Sequence, residues 1–157
     1  MPTSLGVMSS SFDYPAALRS EAVLWLDADY DAYTGGQTVP NLGTGGSALD
    51  ATLGSSGSAD SNDPTFLAYD GTPYVYLPGV ASNRLQVNDE AAFNVTDLDV
   101  RIRASMDDWT PTANTTLISQ AGGAASNFAW DVRITATGAM NLRHSVDGMT
   151  VVAPTSI

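Results

Sequence analysis

The chain has 157 residues, with seventeen acids against six bases, a net charge of −11 and 43% hydrophobic residues. All six bases are Arg. That is too few cations to displace counterions from phosphates, which argues against nucleic acid and anionic membrane as partners. Cysteine is absent, so there are no disulfides and no zinc–thiolate site, and the apolar content is too high for a disordered chain.

The length predicts one domain that buries roughly two-thirds of its unfolded surface. Residues 1–20 carry no hydrophobic period and are expected to form an irregular arm, with Leu5, Met8, Phe12 and Tyr14 as a docking interface for a neighbouring subunit. They show neither the basic start nor the apolar core of a signal peptide. No apolar run approaches the roughly 20 residues needed to cross a bilayer as a helix.

Residues 22–28 (AVLWLDA) are apolar on both faces and predict a buried strand. From Asp29 to Asp63 the chain is dense in Gly, Ser, Asp and Asn. So long a connection predicts short strands hidden within it. TFLAYD and YVYLP flank a turn at Asp70-Gly71-Thr72-Pro73, RLQVN follows, and Ala92 and Phe93 are expected in the core.

Leu98 to Met106 alternates without a break and predicts one strand. Leu98, Val100, Ile102, Ala104 and Met106 make an apolar wall, and Asp99, Arg101, Arg103 and Ser105 a wet one. Phe128, Trp130, Val132 and Ile134 repeat the pattern, with Asp131 and Arg133 on the wet side. A Gly138 turn leads to Met140, Leu142 and Val146 alternating with Asn141, Arg143 and Ser145. Trp109 is expected as a lid over the sheet edge, and MTVV after Asp147-Gly148 as a last strand. Many short strands, Gly- and Asp-rich turns and almost no helix predict an all-β, two-sheet antiparallel sandwich.

The motif order LWLDADYD, PNLGTGGSALDATL, PTFLAYDGTPYVYLP, NVTDLDVRIRASMDDW, TLISQ and FAWDVRITATGAMNLRHSVDG resembles the LamG-like, concanavalin A-like jelly roll. The version with TDLDVRIRASMDDWTP is similar to that of minor tail proteins of phages infecting actinobacteria. The resemblance covers about Ala22 to Val152. It implies a jelly-roll domain over 21–157 that stops before the family's last strands, and an arm over 1–20 attached to the tail. It further implies a non-enzymatic virion structural protein whose partners are other tail proteins and a host cell-surface glycan, with room for homo-oligomers. A carbohydrate-binding module outside any virion and a phage head-decoration protein are the alternatives.

The residues carry little other chemistry. Jelly-roll glycosidases need paired carboxylates in an E-x-D-x-x-E strand, whereas the two glutamates here, Glu21 and Glu90, stand far apart. His144 is the one histidine, and alternation puts it on the apolar wall. Asp27, Asp29 and Asp31 have the spacing that opens an EF-hand, but Ala32 stands where Gly is needed and Thr38 where Glu is needed. No catalytic residue, metal ligand or cofactor is assigned. The remaining candidate is the wet wall, where Arg101, Arg103, Arg133 and Arg143 either pair with Asp99 and Asp131 or present a binding surface to an acidic partner or polysaccharide. Trp109, Tyr30, Tyr33, Tyr74 and Tyr76 are aromatics suited to sugar stacking that the sequence does not bring together.

Overall fold

The computed structural model describes residues 5–8, 20–28, 33, 35–80, 83–93, 98–121, 128–145 and 151–152. Among these the protein is built from short antiparallel strands, with two single-turn 3-10 segments at Gly46–Leu49 and Ala91–Phe93. By packing, the chain divides into two compact units, Met1–Ser105 and Met106–Ile157.

Strands β1 (Leu5–Met8), β2 (Thr38–Val39), β3 (Ala51–Leu53), β4 (Thr65–Tyr69), β5 (Thr72–Leu77) and β6 (Leu85–Gln86) follow in order in the first unit, and β7 (Ala104–Met106) ends it, its last residue being the first of the second unit. They make a four-stranded sheet, β4-β5-β1-β7, and a three-stranded one, β2-β3-β6. The short strands expected between Asp29 and Asp63 are β2 and β3. Val39, Ala51 and Leu53 are buried, while Thr38 on the opposite face is exposed. Leu26, Tyr33, Phe66, Leu85 and Val87 close over them, and each large apolar side chain so buried contributes about 1.5–3 kcal/mol.

Four expectations for this unit are corrected. Leu5–Met8, read as irregular arm, form a sheet strand in which Leu5 pairs with Leu77 and Met8 with Tyr74. Phe12 and Tyr14 lie outside the described residues. Residues 22–28 form no strand. Their backbone instead bonds to a loop: Leu42 N donates to Trp25 O (2.9 Å), Thr44 N to Ala22 O (2.7 Å) and Gly45 N to Val23 O (3.0 Å). The alternating stretch from Leu98 is strand only over its last three residues. Leu98 is half exposed, and no strand is assigned to 98–103. Ala92, expected in the core, is exposed, and Phe93 is half-buried at the end of a 3-10 turn.

Asn41 ties the 22–25 segment to its loop. Its Oδ1 accepts from Trp25 N (2.8 Å) and Gly43 N (2.9 Å), and its Nδ2 donates to Val23 O (3.0 Å) and Gly46 O (3.1 Å). Asp50 fixes Asn41 in turn by accepting from its backbone N at 2.8 Å. Gly43 must lack a side chain here, since a Cβ would stand 2.5 Å from Ala22 O and 2.6 Å from Val23 O.

Gly54 closes β3 with φ +75°, and a Cβ there would meet Asp63 Oδ1 at 1.8 Å. The same Asp63 carboxylate accepts from Asp60 N at 2.8 Å and holds the 60–63 turn. Gly54→Ala therefore combines left-handed strain with displacement of that carboxylate, and is expected to cost about 2 kcal/mol or more. Urea unfolding of the variant measures it, and an unchanged midpoint would refute the clash.

The second unit holds β8 (Thr115–Ala121), β9 (Phe128–Ile134), β10 (Met140–Ser145) and β11 (Val151–Val152), in the sheet order β11-β10-β9-β8. The Gly138 turn (φ +83°) joins β9 to β10, and Trp109 O and Thr110 Cγ2 pass within 3.1 and 3.2 Å of where its Cβ would be. Trp109, expected as a lid over the sheet edge, is itself 45% exposed. β8 departs from regular register twice, between Thr116 and Ile118 and between Gln120 and Ala121.

Beside that loop, Asp108 Oδ1 accepts from Thr110 Oγ1 and Thr110 N, both at 2.7 Å. The hydroxyl bond first and the backbone bond second lower its pKa below the ordinary 3.8. A carboxylate depressed in the folded state contributes stability that is present above the unfolded pKa and lost as pH falls through the folded one. The loss is therefore expected below pH 3.8. Thr110→Val should move the Asp108 titration back toward its ordinary value, as followed by NMR of the carboxyl carbon. An unmoved titration would refute the assignment.

Candidate functional site

The four arginines of the expected wall are divided between the two units. Arg133 and Arg143 lie on β9 and β10 of the second unit, whereas Arg101 and Arg103 belong to the extended stretch of the first. Arg101 binds Asp99 two residues away, with Nη2 at 2.9 Å from Oδ2 and both side chains more than half exposed. Such a pair contributes about 0–1 kcal/mol.

Arg143 faces Asp131 across the β9–β10 register. Its Nε donates to Oδ1 at 2.9 Å and its Nη2 donates to Oδ2. The side-chain bond to Asp131 is the main cause that raises the Arg143 pKa. Asp131 was expected on the wet wall, yet it is only 2% exposed, while Met140 and Leu142 of the supposed apolar wall are 41% and 44% exposed. Ile134 of the same apolar wall is only 1% exposed, so both faces of β9 bury a residue, and alternation separates the faces without saying how far each is covered. His144, expected among the apolar residues, is exposed, with Trp130 and Val152 as its register partners. Arg133 Nε is buried with no hydrogen-bond acceptor among the described residues. Its register partners Asn141 and Thr116 are uncharged.

The structure does gather aromatics in the first unit. Asp70-Gly71 make a two-residue turn with φ +49° and +75°, the doubly left-handed geometry that an Asp-Gly hairpin favours. This fixes the register of β4 on β5, with Thr65 opposite Tyr76, Leu67 opposite Tyr74 and Tyr69 opposite Thr72. Side chains of directly paired residues share a face. One face therefore carries Thr65, Leu67, Tyr69, Thr72, Tyr74 and Tyr76. The opposite face carries Phe66, Val75 and Leu77, the last two buried. On the outer face Tyr69 is 73% and Leu67 41% exposed, and Tyr74 and Tyr76 are half-buried. From the level of Tyr69 to that of Tyr76 the face runs roughly 14 Å, at about 3.4 Å per residue. On the far side of β5, the register partner of Tyr76 is Gly6.

Tyr74 and Tyr76 were among the sugar-stacking candidates, but Tyr69 and Leu67 were not. The signal was present in T-x-L-x-Y and T-x-Y-x-Y mirrored across Asp70-Gly71, and reading it required pairing the strands.

Tyr33 lies elsewhere. Its ring stacks on Phe66 with centroids 3.8 Å apart, and its hydroxyl donates to Gly36 O at 3.0 Å. Burial raises its pKa, so it stays protonated at neutral pH. The pair borders a cavity of about 440 Å³ with Gln37, Leu53, Asp60 and Asp63. The carboxylates of Asp60 and Asp63 accept bonds from their own turn, so the cavity is the hollow of a loop held by internal bonds. Tyr30 lies outside the described residues, as do Asp29 and Asp31. Among the described residues no three His, Cys, Asp or Glu side chains stand together as metal ligands.

Comparison with protein-family models, with curated proteins and with solved structures returned no match for this chain.

Proposed function

We propose that this chain is a non-enzymatic structural protein of a phage virion, a minor tail protein whose LamG-like jelly roll serves assembly, host-surface contact or both. The motif order supports the reading, and the antiparallel sheets agree with an all-β scaffold. The observation that carries host contact is the tyrosine face, a surface held by strands rather than loops and made of Tyr, Thr and Leu. Those side chains are suited to contact and not to acid–base or nucleophilic chemistry at neutral pH. The same face favours the second reading, a carbohydrate-binding module outside any virion.

Mass spectrometry of purified particles separates the two. A virion protein appears at fixed copy number and stays through density-gradient purification, whereas its absence from particles overturns the reading. Removal of residues 1–20 is a poor test of the docking arm, because it also removes β1 from its sheet. Phe12→Ser with Tyr14→Ser leaves β1 intact. Under the docking reading this pair lowers incorporation into particles at least tenfold, and full incorporation would remove the arm from the proposal.

A further inference from the structure

We infer that the outer face of β4 and β5, with Tyr69, Tyr74 and Tyr76 as its rings, binds a neutral polysaccharide. The inference deepens the host-contact reading and rests on it for its biological setting, but its argument is local to this hairpin.

The face is built for contact and not for the core. The buried side chains of β5, Val75 and Leu77, point the other way, so Tyr69 and Leu67 stay open without any cost to the packing beneath them. Tyrosine joins a broad apolar ring to a hydroxyl and gives up little side-chain entropy when held. A ligand that matches it needs C–H faces to lie on the rings and hydroxyls to meet Tyr and Thr oxygens. Sugar rings supply both.

Charge decides between occupants. The chain carries seventeen acids and six bases, yet the six register positions of this face hold none of them. An acidic polymer gains no cation here and is repelled by a net charge of −11. A basic partner finds no acid on the face, since the nearest in the hairpin is Asp70 at the turn. A second copy brings another −11, so face-to-face pairing gathers a charge of −22 around an uncharged patch. A neutral, hydroxyl-rich polymer meets none of these penalties, and a flat strand face roughly 14 Å long takes several sugar rings at once.

The test is affinity electrophoresis of the full chain in native gels containing amylopectin, a soluble β-1,3-glucan, galactomannan or arabinogalactan, with alginate as the acidic comparison. At least one neutral polymer should retard the protein. Tyr69→Ala should raise the apparent dissociation constant about tenfold, the usual scale for truncating an anchoring aromatic. Trp109→Ala, which removes an exposed aromatic that is not part of the β4–β5 hairpin, should leave retardation unchanged. Leu67→Ser on the same face is the second variant, and circular dichroism confirms that each folds. The inference is overturned if no neutral polymer retards the protein, if alginate alone does, if both face variants bind like the parent, or if the face proves to join two copies in sedimentation. Particle mass spectrometry is independent of all these outcomes, so a virion protein that binds no neutral glycan removes this inference and leaves the virion reading standing.

Discussion

Replacing Asn41 with alanine is expected to destabilise the first unit by about 2–4 kcal/mol, the sum of several modest hydrogen bonds lost together. The amide side chain makes four bonds to backbone groups of Trp25, Gly43, Val23 and Gly46. The segment it anchors has no sheet pairing of its own, so removing the amide frees both sides of the join. Asn41→Asp keeps the two accepting roles and loses the two donations, setting a carboxylate against the carbonyls of Val23 and Gly46. It should fall between the parent and the alanine variant. Hydrogen exchange reads the result locally, because the amides of Trp25 and Gly43 should lose protection before those of Val75 and Leu77. Unchanged protection at Trp25 would show that the join is held by something other than Asn41.

Arg143→Ala should be more damaging in the second unit, by about 3–5 kcal/mol, since it strands a carboxylate that water cannot reach. Asp131→Ala is milder, because the Arg143 side chain is 24% exposed and can regain solvent, whereas that of Asp131 is only 3% exposed. The asymmetry is the informative part of the prediction. Replacing both with apolar side chains of similar volume should recover most of the loss, as buried pairs commonly contribute little net stability beside a hydrophobic substitute. A double-mutant cycle on thermal unfolding measures the coupling. Equal costs for the two single variants would mean that Asp131 reaches solvent after all.

These two residues show where the sequence could and could not be read. Strand position was legible wherever a turn with defined chemistry fixed a hairpin. Asp70-Gly71 and Thr137-Gly138 place β9–β10 within a residue of the expectation and β4–β5 within two, since β5 begins at Thr72 inside the expected four-residue turn. Two stretches without such turns were misread. Residues 22–28 and 98–103 have the right alternation or apolarity, yet pairing is a tertiary fact, and the first stretch bonds to a loop instead. The burial of Asp131 was also hidden, because it looks like a surface acid until its arginine is placed opposite, whereas Ile134 on the apolar wall of β9 is buried as expected. The candidate site follows the same rule. Tyrosines at 69, 74 and 76 become one surface only when the register is known, whereas four arginines with matching periodicity belong to different units.

The two register breaks in β8 have a consequence for copies of the protein held side by side. β8 is the last strand of its sheet order, and an end strand in regular register offers a continuous template for another chain to extend. The first break leaves Leu117 of β8 unpaired and the second leaves Ala129 of β9 unpaired, and an extra residue of this kind bends the strand that carries it. An incoming strand that matched Thr115 and Thr116 would be out of step by Ile118. Growth of a fibre along this edge is therefore interrupted within two residue pairs of its start.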